Sequence, residues 1–162
     1  MTEDIANRVL NRDELKKAVA NCRLQNKKIV ATNGCFDILH IGHLHLLNQA
    51  KALGDILIVG INTDRSVSKL KGPERPVVNE SERAAVIANL RMVDFVTIFD
   101  EDTAIELLKA IEPDVYVKGG DYNLETLPEA AAVAAFGGTV KFVEFLPRKN
   151  SSSLIDKIKL LS

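Results

Sequence analysis

Lys28-Ile29-Val30-Ala31-Thr32-Asn33-Gly34-Cys35-Phe36-Asp37-Ile38-Leu39-His40-Ile41-Gly42-His43 is the stretch on which the fold turns. Residues 28–32 form a short β-rich run, closed by the turn pair Asn33-Gly34. A helix follows from about Gly42 to Leu53, and Gly54 is placed to supply its left-handed cap. Ile56-Leu57-Ile58-Val59-Gly60-Ile61 then runs without polar alternation, as expected of a strand buried on both faces. Strand, turn, helix and strand in that order are the repeating unit of a parallel sheet.

The same alternation extends in both directions. Upstream, Asp13 to Arg23 carries Leu15, Ala18, Val19 and Cys22 at helical spacing, and Asn11 with Glu14 resembles a capping box. Downstream, Asn62 to Glu80 is a long polar connection, of a length that in a compact domain is usually functional or mobile. Asn79 with Glu82 opens a helix reaching about Met92. Phe95 to Phe99 reads as a strand, Thr103 to Ile111 as a helix, and Val115 to Lys118 as a strand after the turn Pro113-Asp114. Thr126 to Phe136 is an Ala-rich helix ended by Gly137-Gly138, Thr139 to Leu146 the last strand, and Ser151 to Leu161 the closing helix. Five strands alternating with helices predict an α/β fold with a mainly parallel sheet and helices on both faces. Its ligand site is expected beyond the carboxyl ends of the strands. Residues 1–27 read as an N-terminal helical extension of a domain spanning 28–162.

Composition narrows the functions. A chain of 162 residues, 46% apolar and 27% charged, can bury one core without disulfides or metal. A formal net charge of −1 argues against a general nucleic-acid or membrane-surface role, both of which need a basic field. Trp is absent and only six Phe and two Tyr occur, too few for a surface that stacks single-stranded bases. Cys22 and Cys35 are the only cysteines, and no apolar N-terminal run suggests export, so reduced thiols in a cytosol are expected. No apolar stretch approaches the roughly 18 residues of a membrane span.

Chemistry concentrates in four segments. All three histidines fall in His40-Ile41-Gly42-His43-Leu44-His45, with His40 in the turn and His43 opening the helix. Imidazoles there meet the partial positive charge and open N–H groups of a helix N-terminus, a setting for phosphate. Metal binding is the rival reading, although His-x-x-His in a turn lacks the Glu of a zincin motif and Cys35 alone would complete a poor site. His45 reads as a helix-face residue without chemistry. In Lys69-Leu70-Lys71-Gly72-Pro73-Glu74-Arg75-Pro76-Val77, Gly72 and two prolines shape a loop from which Lys71 and Arg75 could close over a triphosphate; a solvated charged loop is the plain alternative. Val117-Lys118-Gly119-Gly120-Asp121-Tyr122 ends a strand on the same edge, where paired glycines permit close approach and Asp121 can accept from sugar hydroxyls; an ordinary strand-ending turn explains the glycines almost as well. Arg148-Lys149-Asn150-Ser151-Ser152-Ser153 offers hydroxyls and backbone N–H groups at a helix N-terminus, where simple capping needs only one such residue.

Thr32 to His43 resembles the nucleotide motif of the cytidylyltransferase-type nucleotidyltransferases, relatives of the class I aminoacyl-tRNA synthetases that carry a His-x-Gly-His turn. Within that family the chain is most similar to the heptose 1-phosphate adenylyltransferases. The shared features are Thr-Asn-Gly-Cys-Phe-Asp, Leu70-Lys71-Gly72 to Arg75-Pro76-Val77, Glu101-Asp102-Thr103, and Val117 to Tyr122. That branch occurs alone or as half of a bifunctional heptose kinase–adenylyltransferase. The sequence departs from the bifunctional form in having no kinase half, so a separate sugar kinase and a phosphatase are expected upstream. Arg148 to Ser153 also stands where a Cys-Ser-Thr-Thr-like stretch is usual.

The resemblance implies a Rossmann-like nucleotidyltransferase domain that moves AMP from ATP to a heptose 1-phosphate. The products would be pyrophosphate and ADP-heptose, the latter for lipopolysaccharide or surface polysaccharide synthesis in the cytoplasm. It implies His40, His43 and Lys71 as catalytic residues. Nucleotide contacts would come from Asn33, Gly34, Cys35, Phe36, Gly42, Arg83, Lys118, Gly119, Arg148, Ser151, Ser152 and Ser153. Acceptor contacts would come from Lys71, Arg75, Gly120, Asp121 and Tyr122. Mg²⁺ is expected as cofactor, bridging phosphates and keeping its waters, with no dedicated protein ligand. No nucleic-acid or membrane partner is expected, and a homodimer is left open. Three other functions stay open: a cytidylyltransferase acting on glycerol 3-phosphate, a non-catalytic nucleotide-binding module, and a zinc protein built on the histidine cluster.

Overall fold

The computed structural model describes residues 8–120, 123–144 and 151–161, apart from the side chains of residues 152, 153, 156 and 159. Its elements are α1 (Arg12–Leu24), β1 (Ile29–Gly34), α2 (Ile41–Lys51), β2 (Ile56–Asn62), α3 (Asp64–Lys71) and α4 (Glu80–Ala88). β3 (Phe95–Phe99), α5 (Ile105–Ile111), β4 (Val115–Gly119), α6 (Ala130–Ala135), β5 (Thr139–Val143) and α7 (Ser151–Lys159) follow. The strands pair in parallel in the order β3-β2-β1-β4-β5. Sequence order runs outward from β1 to β3 and then restarts at β4 on the other side of β1. The carboxyl ends of β1 and β4 therefore flank the topological switch point, where α/β sheets bind ligands.

Each strand feeds two cores. Val30 faces one with Leu47 and Ala50 of α2 and Ala84 and Ile87 of α4, while Ile29 and Ala31 face the other with Leu15 and Val19 of α1 and Leu107 and Leu108 of α5. On β2, Leu57 and Val59 join the first core and Ile58 the second. Cover on both faces is why Ile56 to Ile61 is apolar without a break. The predicted capping box is present on α1: Asn11 accepts from the backbone of Asp13 and Glu14, and Glu14 accepts from Asn11 N. Residues ahead of α1 also join the sheet, with Val9 bridging Val96 and Leu10 N donating to the Val96 carbonyl at 2.8 Å.

Two local expectations are corrected. Gly54 does not cap α2 in a left-handed conformation, for the helix ends at Lys51 with Ala52 right-handed. Gly54 is needed for room: a Cβ would lie 2.7 Å from Val30 Cγ2 and 2.8 Å from the Lys28 carbonyl oxygen. The connection from Asn62 to Glu80 is not one long loop, because α3 occupies its first half. Thr63 caps α3 by accepting from Ser66 N, Asp64 sits in its first turn, and Lys69 and Lys71 sit in its last. These charges match the helix dipole at both ends. Lys71 thus stands on a helix terminus. α4, α5 and α6 are each shorter than their sequence spans suggest, and residues 145–150 lie outside the described part.

Candidate active site

β1 carries Asn33 and Gly34 to the switch point, and the chain then turns through Phe36 with a left-handed φ of 47°. That conformation costs a non-glycine residue about 1–2 kcal/mol, and Phe36 is held in it by packing into the first core. A side chain on Gly34 would crowd this ring, its Cβ lying 3.1 Å from Phe36 Cε2.

His40 caps α2, its Nδ1 accepting from Gly42 N at 3.1 Å. A nitrogen that accepts carries no proton, so the hydrogen of the neutral ring is on Nε2. His43 stacks on His40 with centroids 3.8 Å apart and meets the tilted Phe36 ring at 5.0 Å. Burial pulls the His43 pKa down to about 3, and the like charges of His40 and Lys71 push the same way. His40 is lowered too, by burial and then by Lys71. Lys71 therefore lies near enough to act on both rings, and both are neutral at neutral pH. His43 Nδ1 is buried without a hydrogen-bond partner. Two stacked neutral imidazoles at a helix N-terminus offer N–H donors to an anion without the repulsion of two facing cations.

A buried ionic seam fixes this turn. The Asp37 carboxylate, fully enclosed, lies 2.5 Å from both Nε and Nη2 of Arg75. It also accepts from Val77 N at 2.8 Å and Val78 N at 3.0 Å. Burial alone would raise the Asp37 pKa; the Val78 amide, the Arg75 guanidinium and the Val77 amide together bring it below the usual carboxylate range. Arg83, only 2% exposed, donates to the carbonyls of Val78, Cys35 and Asn62 and to the Asp64 carboxylate at 2.6 Å. The seam joins the histidine turn, the end of β2, the start of α3 and residues 75–78. Arg75 and Arg83, expected at the acceptor and at the nucleotide, both stand in this seam. Arg83 is engaged through Nε, Nη1 and Nη2, whereas Arg75 donates through Nε and its buried Nη2, though 2.5 Å from Asp37 Oδ2, has no hydrogen-bond partner.

Across the switch point, β4 supplies the other wall. Asn33 Oδ1 accepts from Tyr116 Oη at 2.5 Å and from Lys118 Nζ at 3.2 Å. Burial lowers the Lys118 pKa, partly opposed by Glu129 and Cys35. Gly119 ends β4, and Gly120, with φ 117°, donates its N–H to the Val143 carbonyl at 3.1 Å. The third wall is the start of α7, where the Ser151 hydroxyl donates to the Ile38 carbonyl at 3.2 Å. The structure thus brings together Asn33, Gly34, Cys35, Phe36, His40, Gly42, His43, Lys71, Lys118 and Ser151. Asp121, Tyr122 and Arg148, with the side chains of Ser152 and Ser153, lie outside the described part.

Two residues of this site had no assigned task in the sequence. Asp37 stood inside the quoted stretch, but its partners are 38 to 41 positions away. Tyr116 lay inside the predicted strand Val115 to Lys118 with no separate reading. As for metals, among the described residues no group of three or more His, Cys, Asp or Glu is placed to hold an ion. Asp37, the sole carboxylate of the turn, is taken by Arg75 and two amides.

The model of the cytidylyltransferase-like family matches residues 31–156. The chain belongs to the cytidylyltransferase-like family of nucleotidyltransferases. Its fold is the Rossmann-like one of that family, and no helix among the described residues is long and apolar enough to cross a membrane. The chain is 45% identical over 156 residues to the bifunctional protein HldE of Citrifermentans bemidjiense, covering 96% of this chain and 32% of that one. It is 50% identical over 150 residues to HldE of Koribacter versatilis, covering 93% and 31%. The chain therefore spans about a third of the length of these curated relatives. Among solved structures it resembles the lipopolysaccharide core biosynthesis protein of Thermoplasma volcanium GSS1, with a TM-score of 0.60 and 32% identity over 74% of this chain and 97% of that one. Pantoate-beta-alanine ligase of Francisella tularensis, complexed with beta-gamma ATP and beta-alanine, shares the fold at a TM-score of 0.63 and 15% identity, covering 90% and 71%.

Proposed function

We propose that the chain transfers AMP from ATP to a heptose 1-phosphate. An oxygen of the sugar phosphate attacks the α-phosphorus and forms the new P–O bond. The bond from the α-phosphorus to the bridging oxygen breaks, and its electron pair leaves with pyrophosphate. No proton transfer at phosphorus is required, so the protein's task is alignment and stabilisation of negative charge.

The observation that carries this reading is the neutral His40–His43 stack at the N-terminus of α2, with Lys71 beside it, at the switch point of the sheet. Nε2–H of each ring donates to α- and β-phosphate oxygens, and Lys71 offsets the non-bridging charge. Asn33, Gly34, Cys35, Phe36, Gly42, Lys118 and Gly119 line the nucleotide. The N-terminus of α7, with Ser151, Ser152, Ser153 and Arg148, holds the outer phosphates. Gly120, Asp121 and Tyr122 are assigned to recognition of the acceptor sugar. Arg75 and Arg83 keep the frame in register and leave the phosphates to other groups. Mg²⁺ carried in with the triphosphate would reduce the negative charge that His40, His43 and Lys71 must meet.

The choice of heptose is supported by the Val117 to Tyr122 segment and by the 45% to 50% identity to HldE proteins. The likeness to a lipopolysaccharide core biosynthesis protein supports a product used for surface glycans. The enzyme works in the cytoplasm on substrate supplied by a sugar kinase and a phosphatase. Label in the α-phosphate of ATP is the direct test. The account expects the label in a sugar nucleotide and none in pyrophosphate; label retained in ATP after incubation with a heptose 1-phosphate would refute it.

A further inference from the structure

Tyr116 is fully buried at the centre of the sheet among Ile29, Ala31 and Ile58, yet its hydroxyl meets the neighbouring strand. Tyr116 Oη lies 2.5 Å from Asn33 Oδ1, and Lys118 Nζ lies 3.2 Å from the same oxygen and 3.3 Å from Tyr116 Oη. Chemistry sets the direction of these bonds. An ammonium only donates, so the Asn33 atom facing it is the carboxamide oxygen. The Tyr116 hydroxyl beside that oxygen donates to it as well. Both acceptor positions of Oδ1 are filled, and the carboxamide nitrogen, which can only donate, is given no acceptor among the described residues. On its other side Asn33 pairs in register with Gly60, where a Cβ would come within 3.3 Å of Asn33 Cβ. The side chain is thus held by β4 at the carboxyl end of β1, and the absent side chain of Gly60 leaves it room.

We infer that Tyr116 is a positioning residue of the nucleotide site: with Lys118 it turns the Asn33 carboxamide so that the NH₂ group donates to an oxygen of the bound nucleotide. Tyr116 itself touches no ligand. The inference rests on the nucleotidyltransferase reading above and adds to it a polarity, a donor at Asn33, and the group that sets it. Tyr116→Phe keeps the ring and its packing and removes only the hydroxyl, leaving the carboxamide held by Lys118 alone. Asn33→Asp keeps an oxygen toward Tyr116 and Lys118 but replaces the donor by a second acceptor.

The test is a binding cycle with ATP and Mg²⁺, read by calorimetry on wild type, Tyr116→Phe, Asn33→Ala, the double variant and Asn33→Asp. Tyr116→Phe is expected to weaken ATP binding roughly tenfold, with melting temperature close to wild type. In the Asn33→Ala background the same change should alter affinity by less than about twofold, because the group it orients is gone. Asn33→Asp should bind ATP more weakly than Asn33→Ala, since an acceptor then faces the phosphates. Equal losses from Tyr116→Phe in both backgrounds, or Asn33→Asp binding as well as wild type, would overturn the inference while leaving the enzyme reading intact. Should Tyr116→Phe fail to fold, Asn33→Asp decides the polarity by itself. A wild-type protein that binds no nucleoside triphosphate would overturn both readings together.

Discussion

His43 is pressed between the His40 ring and Phe36, and its chemistry follows from that enclosure. A ring kept neutral donates to a phosphate oxygen and gains most as charge builds in the transition state. His43→Ala is therefore expected to lower kcat by about 10²–10³-fold, the usual loss for one such donor, with little change in melting temperature; a folded variant of near-normal turnover would remove His43 from the mechanism. The same enclosure gives a pH signature. The folded pKa of about 3 lies below the ordinary 6.5. Between those values the unfolded chain binds a proton that the folded one refuses, so stability is full above the window and falls as pH drops through it. His43→Asn cannot titrate, and its melting temperature should fall less steeply than wild type between pH 6.5 and about 4. Parallel curves would show that burial does not hold the ring neutral. At this scale the sequence marked the histidines and the helix start. It could not show the charge state, which depends on Phe36 and Lys71 closing around the rings.

α3 and the segment after it hold the main surprise among the elements. Eight residues with Val67 as the buried apolar anchor are too short and too polar to stand out by periodicity, so the helix was hidden inside a charged stretch. Its neighbour at 72–78 is also more firmly held than its composition suggests, because Asp37 reaches it from the histidine turn. Losing one partner of a buried pair leaves the other charge uncompensated. Asp37→Ala is expected to destabilise the fold by about 3–5 kcal/mol in denaturant unfolding, and to speed hydrogen exchange at Val77 N and Val78 N, which then lose their acceptor. A loss below about 1 kcal/mol, the range of an exposed pair, would mean that the seam is not what fixes this segment. Gly54 teaches a related lesson: its place just after a helix suggested a cap, while the actual constraint comes from Val30 of β1 and from Lys28 just ahead of it, more than twenty residues earlier.

For the whole molecule, alternating apolar runs and helices were enough to read the α/β class, whereas strand order is a property of long-range pairing and appears only in the fold. That order places β1 beside β4 and so assembles the site from segments far apart in the chain; Ser151 reaches Ile38 across 113 positions. The claim that depends on the complete assembly is the choice of substrates. A site that hydrogen-bonds a hydroxyl discriminates strongly against an analogue lacking it, because its own polar groups are left unpaired. On the proposed function, Asp121 is the residue that would pair with sugar hydroxyls that glycerol 3-phosphate mostly lacks. The decisive measurement is kcat/KM for pyrophosphate release with each of the four nucleoside triphosphates, paired in turn with heptose 1-phosphate anomers and with glycerol 3-phosphate. The account predicts the highest value for ATP with a heptose 1-phosphate, the β-anomer ahead of the α. Equal or faster turnover of CTP with glycerol 3-phosphate would contradict it.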